Sequence, residues 1–158
     1  MNGILLVEDT DSDAALIQRA LKLAGITNPI HRISDGAETL GYLERAERNP
    51  NELPSILLLD LNLPRVDGIR ILEWLQRRPA FGKMLRIVVS HLDSMQTIKE
   101  AYAAGAQSYL TKPLHQSEVN HLIVSFPGYW LFSEKSGQSI PDSSRPKQSA
   151  QPPPDPAP

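Results

Sequence analysis

Five short, strongly apolar runs alternate with longer stretches of helical periodicity, and few folds are compatible with this alternation. The apolar runs cover residues 4–7, 30–33, 55–61, 86–89 and 108–110. Between them, apolar residues recur every three to four positions, which is typical of amphipathic helices. The alternation predicts a parallel sheet, because parallel neighbours need a long crossover connection that is usually a helix.

The third run gives the strongest of these signals. Residues 55–61 are apolar on both faces, as expected of a central parallel strand that helices cover on each side. The helix boundaries are marked by turn and capping residues: Gly25, Asp35, Pro79 and Gly105. The last helix is predicted to begin near Gln116. We therefore predict the α/β class, with a doubly wound five-stranded parallel sheet in the flavodoxin-like order 2-1-3-4-5 and helices on both faces.

The C-terminal part of the chain has a different composition. Seven of the 14 prolines lie between Pro141 and Pro158, and Ile140 is almost the only large apolar residue after Ser133. Such a segment cannot bury enough apolar surface to offset the entropy of ordering it. We predict a folded domain over residues 1–132, with an aromatic extension of the last helix, and a disordered Pro/Ser-rich tail over residues 133–158.

Composition excludes several classes of function. The formal net charge is −2, and no local basic patch compensates for it, so binding to nucleic acid is not expected. The chain has no cysteine, which excludes disulfide scaffolds, cysteine nucleophiles and Cys-type zinc sites. The N-terminus has no basic and apolar leader, and no apolar run approaches the roughly 20 residues that cross a bilayer. We expect a soluble, cytoplasmic protein that does not bind a membrane.

Polar side chains follow four of the predicted strands at the point where each strand ends. They are Glu8 and Asp9, Asp60, Ser90, and Lys112. Because parallel strands end at the same edge of a sheet, we expect these side chains to converge in one crevice. Taken singly, the acids could be ordinary loop or capping residues, Lys112 a solvated cation and Ser90 a residue without a role. The combination favours a common site.

The combination also predicts a chemistry. Three carboxylates held together favour a divalent cation with hard oxygen ligands, Mg²⁺ or Mn²⁺. A carboxylate beside such an ion can attack a phosphoryl group, while a lysine ammonium and a hydroxyl stabilise the phosphoryl oxygens. Asp60 is the expected nucleophile, with Lys112 and Ser90 as the stabilising groups.

At these residues the sequence resembles the receiver domain of two-component response regulators, through the motifs ILLVEDTDSD, ILLLDLNLPRVDG, IVVSHLD and YLTKPL. The resemblance covers residues 1 to roughly 125. It implies a phosphorelay in which a sensor histidine kinase phosphorylates Asp60. It also implies a metal held by Asp9, Asp60 and the backbone carbonyl of Asn62, with Glu8 acting through a water molecule. Ser90 and Lys112 would hold the phosphoryl oxygens.

The resemblance further implies a conformational switch. Tyr109 would turn inward when Asp60 is phosphorylated, and the surface of the fourth helix, fifth strand and fifth helix would change. The Lys112–Pro113 peptide bond would be cis. The sequence departs from the family pattern at His91, where a small residue is usual, and we expect a kinetic effect. Asn62 and Leu92 occupy positions that affect how readily water reaches the phosphoryl group.

Two further stretches, RAERNPNELPS and SFPGYWLFSE, resemble the response regulators that partner cyanobacterial phytochromes. This resemblance implies a bacterial phytochrome as the kinase. It also implies a homodimer whose interface contains an apolar group in the C-terminal extension: Phe126, Tyr129, Trp130, Leu131 and Phe132. The alternative is that these side chains fold back on their own domain. Because few residues follow position 125, we expect a stand-alone receiver without an output domain.

Other functions fit the motifs less well. A haloacid dehalogenase-type phosphatase also uses a strand-end Asp, but it needs an acid two residues later, where this chain has Asn62. A flavodoxin-like FMN protein would need a phosphate-binding first loop, which the acids Glu8, Asp9, Asp11 and Asp13 would repel. A pseudo-receiver that only binds partners is a third alternative. We expect a phosphoacceptor signalling protein and not an enzyme in the usual sense.

Overall fold

The structure, a computed structural model, describes residues 3–133. Five strands are present in this range: β1 (Ile4–Val7), β2 (Ile30–Ile33), β3 (Ile56–Leu59), β4 (Leu85–Ser90) and β5 (Ser108–Thr111). The helices are α1 (Asp11–Leu23), α2 (Gly36–Arg48), α3 (Gly68–Gln76), α4 (Met95–Ala103) and α5 (Gln116–Ser125). Two short 3-10 turns, Pro50–Glu52 and Pro79–Phe81, precede β3 and β4.

All five strands are parallel and lie in the order β2-β1-β3-β4-β5. In the register of the sheet, Val7 lies opposite Ile33 on one side and Leu59 on the other. The strands therefore end close to a common line, and the residues that follow them emerge at one edge. The predicted fold class and strand order are confirmed.

The hydrophobic core has two layers, one on each face of the sheet. Ile4 and Leu6 of β1 pack with α1 and α5, whereas Leu5 and Val7 face the layer that contains α2 and α3. This division follows from the alternation of side chains along a strand, which sends successive residues to opposite faces. β1 and β3 are buried on both faces, as the apolar run in 55–61 indicates.

β3 is shorter than the predicted strand over residues 55–61. Its ladder ends at Leu59, and the Leu61 carbonyl accepts a hydrogen bond from the Gly68 N–H at 2.9 Å. Leu61 therefore belongs to the loop that leads into α3. β4 and β5 both extend slightly beyond their predicted ends, to Ser90 and Thr111.

The predicted extension of the last helix does not form. α5 ends at Ser125, two residues before Pro127, which has no N–H and cannot continue a helix. Gly128 then adopts a positive φ of 95°, and the chain turns back. We call residues 126–133 the C-terminal strap.

Backbone hydrogen bonds attach the strap to the segment before β2. Phe132 forms an isolated antiparallel bridge with Ile26. The Thr27 N–H donates to the Leu131 carbonyl at 2.8 Å, and the Ser133 N–H donates to the Gly25 carbonyl at 3.0 Å. These bonds place the strap at the amino end of the sheet.

The strap covers one layer of the core with its own aromatic side chains. Trp130 is 7% exposed and belongs to the core between α1 and α5, and Phe126, Tyr129 and Phe132 pack against the same layer. Leu131 is 39% exposed. The aromatic side chains thus fold back on their own domain, which was the alternative to a purely intermolecular interface.

Two predictions concern features beyond this architecture. No helix within residues 3–133 has both the length and the hydrophobicity that crossing a bilayer requires. The predicted disordered tail lies outside the described residues, apart from Ser133.

Candidate functional site

The carboxyl edge of the sheet buries an unusual group of polar side chains. Glu8 follows β1, Asp60 follows β3, Ser90 ends β4 and Lys112 follows β5. Glu8 and Ser90 are fully buried, while Asp60 and Lys112 are 6% and 8% exposed. The structure therefore brings together the strand-end residues that the sequence predicts. Burying such groups is costly unless they are paired.

Lys112 lies at the centre of the group and contacts three carboxylates. Its ammonium donates to Glu8 Oε1, to Asp13 Oδ2 at 2.9 Å and to Asp60 Oδ2 at 3.1 Å. Burial alone would lower the pKa of Lys112, but the hydrogen bonds to these carboxylates raise it above its ordinary value. Lys112 is therefore held as a fixed positive charge beside Asp60.

The environment of Glu8 affects the pKa of its carboxyl in opposite directions. Burial raises the pKa of its carboxyl, and the neighbouring charge of Asp60 acts in the same direction, whereas the hydrogen bonds from Lys112 and from the Thr10 N–H lower it. The net direction is upward. Two buried carboxylates repel each other, so a further positive charge in this crevice is electrostatically favourable.

Glu8, Asp9 and Asp60 form an acidic cluster that suits a divalent cation. Each offers one carboxylate oxygen, and these oxygens all lie within 4.8 Å of one another. Glu8 and Asp60 are buried, whereas Asp9 is exposed at the mouth of the crevice. Hard oxygen donors on a wall open to solvent match the preferences of Mg²⁺ and Mn²⁺, which keep water molecules among their ligands. The donor set therefore fits the predicted ion.

The loop between β3 and α3 fixes the orientation of Asp60. The Asn62 N–H donates to Asp60 Oδ1 at 3.1 Å, so each oxygen of this carboxylate accepts a hydrogen bond. The loop packs tightly on the start of α3, because a Cβ at Gly68 would lie 2.7 Å from Leu61 Cα and 2.8 Å from the Asp60 carbonyl oxygen. Glycine is required there, and its position restrains Asp60.

Ser90 and Tyr109 connect the site to the loop between β4 and α4. The Leu92 N–H donates to Ser90 Oγ at 3.3 Å, and the Tyr109 hydroxyl donates to the Leu92 carbonyl. The Lys112 N–H also donates to the Ser90 carbonyl at 2.8 Å. The peptide bond between Lys112 and Pro113 is cis, the isomer that the family resemblance implies. Hydrogen bonds therefore link Ser90 to the Leu92 loop and, through it, to Tyr109.

Asp13 is the residue of this site that the sequence reasoning missed. It lies in the first turn of α1, and its Oδ2 atom accepts hydrogen bonds from both Lys112 and His91. The strand-end argument covers only residues that follow strands, and Asp13 lies on a helix. Its place in the first turn of α1, directly after the acidic loop that follows β1, is the signal that would have placed it near the crevice.

Comparisons with known proteins agree with this geometry. Residues 4–124 match the family model described as the response regulator receiver domain. The probable methanogenesis regulatory protein FilR2 of Methanothrix harundinacea is 36% identical over 128 residues, which is 81% of this chain and 83% of the relative.

The similar proteins also include a response regulator with a metal-bound crystal structure and a phytochrome response regulator. The response regulator Rcp1 of Synechocystis is 28% identical over 129 residues, 81% of this chain and 88% of Rcp1. The crystal structure of its Mn²⁺-bound form superimposes with a TM-score of 0.69 at 25% identity, covering 84% of this chain and 99% of that one. The phosphorylated cyanobacterial phytochrome response regulator RcpA has a TM-score of 0.66 at 29% identity, covering 82% and 93%.

Proposed function

This chain belongs to the response regulator receiver domain family, and we propose that it accepts a phosphoryl group on Asp60 from a sensor histidine kinase in a Mg²⁺-dependent phosphorelay. The observation that carries the proposal is the environment of Asp60. Its carboxylate is nearly buried, and each of its oxygens accepts a hydrogen bond, one of them from Lys112. Together with Glu8 and Asp9, Asp60 also forms the acidic cluster that fits a divalent cation.

The transfer step follows from the chemistry of these groups. An Asp60 carboxylate oxygen forms a bond to phosphorus while the bond from phosphorus to the kinase's histidine nitrogen breaks, and the imidazole keeps the electron pair of that bond. Asp9, Asp60 and the Asn62 backbone carbonyl would hold Mg²⁺, with Glu8 acting through a water molecule, and the bound ion would neutralise charge on the phosphoryl oxygens. Lys112 and Ser90 then hold phosphoryl oxygens by hydrogen bonds.

The output is a change of surface. A phosphoryl group adds about −1.5 to −2 charge. Ser90 Oγ turns toward the phosphoryl group to donate a hydrogen bond, and this turn weakens the bond that Oγ accepts from the Leu92 N–H. Since Tyr109 also binds the Leu92 carbonyl, the loop after β4 and the surface of α4, β5 and α5 shift together. Phosphorylation thus biases one of two arrangements of this surface.

Phosphotransfer from a kinase labelled at its histidine tests the acceptor assignment. Wild-type protein should remove the label from the kinase, and Asp60→Asn should leave it there. Asp67→Asn is the matched control, because Asp67 caps α3 by accepting from the Arg70 N–H and lies outside the crevice. Equal transfer to Asp60→Asn would place the acceptor elsewhere. Failure of every variant would support the pseudo-receiver alternative.

The partner we propose is a phytochrome-type kinase, because the cyanobacterial phytochrome response regulator RcpA is among the similar proteins. At equal concentrations, a phytochrome kinase should transfer its phosphoryl group at least about tenfold faster than an unrelated histidine kinase, a difference that corresponds to about 1.4 kcal/mol. Acetyl phosphate serves as the kinase-independent control for each preparation. Equal rates from all kinases would remove the phytochrome assignment.

Homodimerisation is also part of the proposal. Trp130 is buried within its own domain, so an interface at the strap would have to use its exposed side, where Leu131 is 39% exposed. Light scattering should therefore give a dimer for wild type and a monomer for Leu131→Asp, with an unchanged circular dichroism spectrum. A monomeric wild type would end this part of the proposal.

A further inference from the structure

His91 and Lys112 both contact the carboxylate of Asp13 at the mouth of the crevice. His91 Nε2 lies 3.2 Å from Asp13 Oδ2, and the Lys112 ammonium lies 2.9 Å from the same oxygen. His91 directly follows Ser90 at the end of β4, whereas Asp13 belongs to α1. The contact thus connects α1 with the end of β4.

Asp13 occupies one of the three N–H donors of the Lys112 ammonium. Lys112 shares its three N–H donors among Glu8, Asp13 and Asp60, and the Asp13 distance is shorter than the 3.1 Å to Asp60. Asp13 is more accessible than the other two acceptors, since its side chain is 20% exposed, against 1% for Glu8 and 6% for Asp60. Solvent can therefore reach the Asp13 carboxylate, and the contact with His91 Nε2 gives it a second partner beside Lys112.

The surroundings strengthen this arrangement. A pocket of about 200 Å³ lies beside the contact, and its walls include Leu16, Ile17 and Leu114. Apolar walls reduce the screening of charges, so the hydrogen bond between Lys112 and Asp13 is stronger than one in open solvent. Arg32, which pairs with Asp11, does not compete for Asp13 among the ion pairs of the described residues.

We propose that Asp13 and His91 are positioning residues that keep one N–H donor of Lys112 occupied and so limit the rate at which the phosphoryl group is transferred. The proposal rests on the phosphoacceptor function of Asp60. Neither residue touches the reacting atoms. Asp13 competes with the incoming phosphoryl oxygens for an N–H donor of Lys112, and His91 keeps Asp13 in the orientation that competes.

The test measures phosphorylation by acetyl phosphate and Mg²⁺ at varied donor concentration, with the protein as a full chain. Asp13→Asn should raise the limiting rate by about three- to tenfold, because a neutral amide competes less well for a charged donor. His91→Ala should raise it by about two- to threefold, since Asp13 is then free to turn toward solvent. His91→Gln retains an N–H donor and should restore the wild-type rate.

Two controls separate positioning from other effects. Asp11→Asn removes one carboxylate from the same helical turn without touching Lys112, and it should leave the rate unchanged. In the Asp13→Asn background, His91→Ala should have no further effect, because His91 acts through Asp13. An equal acceleration by His91→Ala in both backgrounds would assign its effect to steric access and overturn the proposal.

A second measurement does not depend on phosphorylation. In ¹⁵N NMR spectra of the metal-free protein, the Lys112 ammonium signal should move and exchange faster in Asp13→Asn and His91→Ala, but not in Asp11→Asn. An unchanged signal overturns the proposal. A wild type that takes no phosphoryl group overturns both this proposal and the phosphoacceptor function. A wild type that is phosphorylated at the same rate as Asp13→Asn overturns the positioning role alone.

Discussion

At the carboxyl end of the sheet the chain buries Glu8, Asp60 and Lys112, whereas at the amino end it buries Trp130 and closes with backbone hydrogen bonds of the strap. The first arrangement opposes stability unless every charge is paired, because each ion loses its hydration. The second removes apolar surface from water, which stabilises the fold. Trp130 belongs to the layer of the core that α1 and α5 cover.

The difference shows how one small domain combines reactivity with stability. Charges held in a crevice of low dielectric interact strongly with an incoming phosphoryl group, since they need no reorganisation when it arrives. Their cost has to be offset elsewhere in the domain. The strap offers such a region, because it contains no group of the site. Tyr129 of the strap forms hydrogen bonds with Asn28 and Lys83, which lie in the segments that precede β2 and β4.

The largest expected effect lies at the carboxyl end. Lys112→Ala removes the ammonium that holds a phosphoryl oxygen and should lower the rate of phosphorylation by about 10²- to 10³-fold. The rate is measured by intact mass after incubation with acetyl phosphate. Lys99→Ala, at an exposed position of α4, is the matched control. A loss of less than threefold in Lys112→Ala would contradict the role of this residue.

At the amino end, the effect should fall on stability and not on rate. Trp130→Ala opens a cavity in the core and should lower the free energy of unfolding by about 3–5 kcal/mol. Urea denaturation measures this, and Leu23→Ala, at an exposed position of α1, should cost no more than about 0.5 kcal/mol. In the folded fraction of Trp130→Ala, the phosphorylation rate should equal that of wild type. A slower rate there would show that the two ends are coupled.

Replacing Trp130 by Phe separates the contribution of ring packing from that of the indole N–H. The Trp130 Nε1 atom is buried without a hydrogen-bond partner among the described residues, which is unfavourable in the native state. Trp130→Phe removes this donor while keeping an aromatic ring, so it should cost less than Trp130→Ala by at least about 2 kcal/mol. Equal costs for the two variants would mean that ring packing is not the source of the stability.

A smaller effect is expected where the site communicates with the surface. Tyr109→Phe removes the hydroxyl that donates to the Leu92 carbonyl and should cost about 0.5–1.5 kcal/mol. Hydrogen exchange should become faster in the loop after β4 and stay unchanged in the strap. Tyr102→Phe, on the exposed face of α4, is the control. Unchanged exchange in Tyr109→Phe would remove Tyr109 from the connection.

The smallest expected effect is on how the free energy of unfolding depends on pH. Hydrogen bonding from Lys112 lowers the pKa of the Asp13 carboxyl below its ordinary value of 3.8. A carboxyl with a lowered folded pKa contributes stability above 3.8, and this is lost as pH falls through the folded pKa. Asp13→Asn should therefore lower the free energy of unfolding at neutral pH by less than about 1 kcal/mol. The difference from wild type should shrink well below pH 3.8, whereas the Trp130→Phe difference should not depend on pH.

The sequence predicts the site better than it predicts the strap. Strand-end residues such as Asp60 and Lys112 are predictable because parallel strands finish at one edge, so position along the chain determines position in space. Asp13 is not predictable in this way, because its role depends on the direction of a helix that strand patterns do not specify. The position of the strap could not be predicted from the sequence for another reason. Its partners, such as Asn28, lie about 100 residues away along the chain, and local periodicity carries no information about them.

The proposed function requires that Asp60 accept a phosphoryl group with the help of a divalent cation. Intact mass spectrometry tests this on wild type and Asp60→Asn after incubation with acetyl phosphate, with Mg²⁺ or with a chelator. We expect the mass of one phosphoryl group on wild type with Mg²⁺ only, and none on Asp60→Asn. An adduct of the same size on Asp60→Asn, or no adduct on folded wild type, would contradict it.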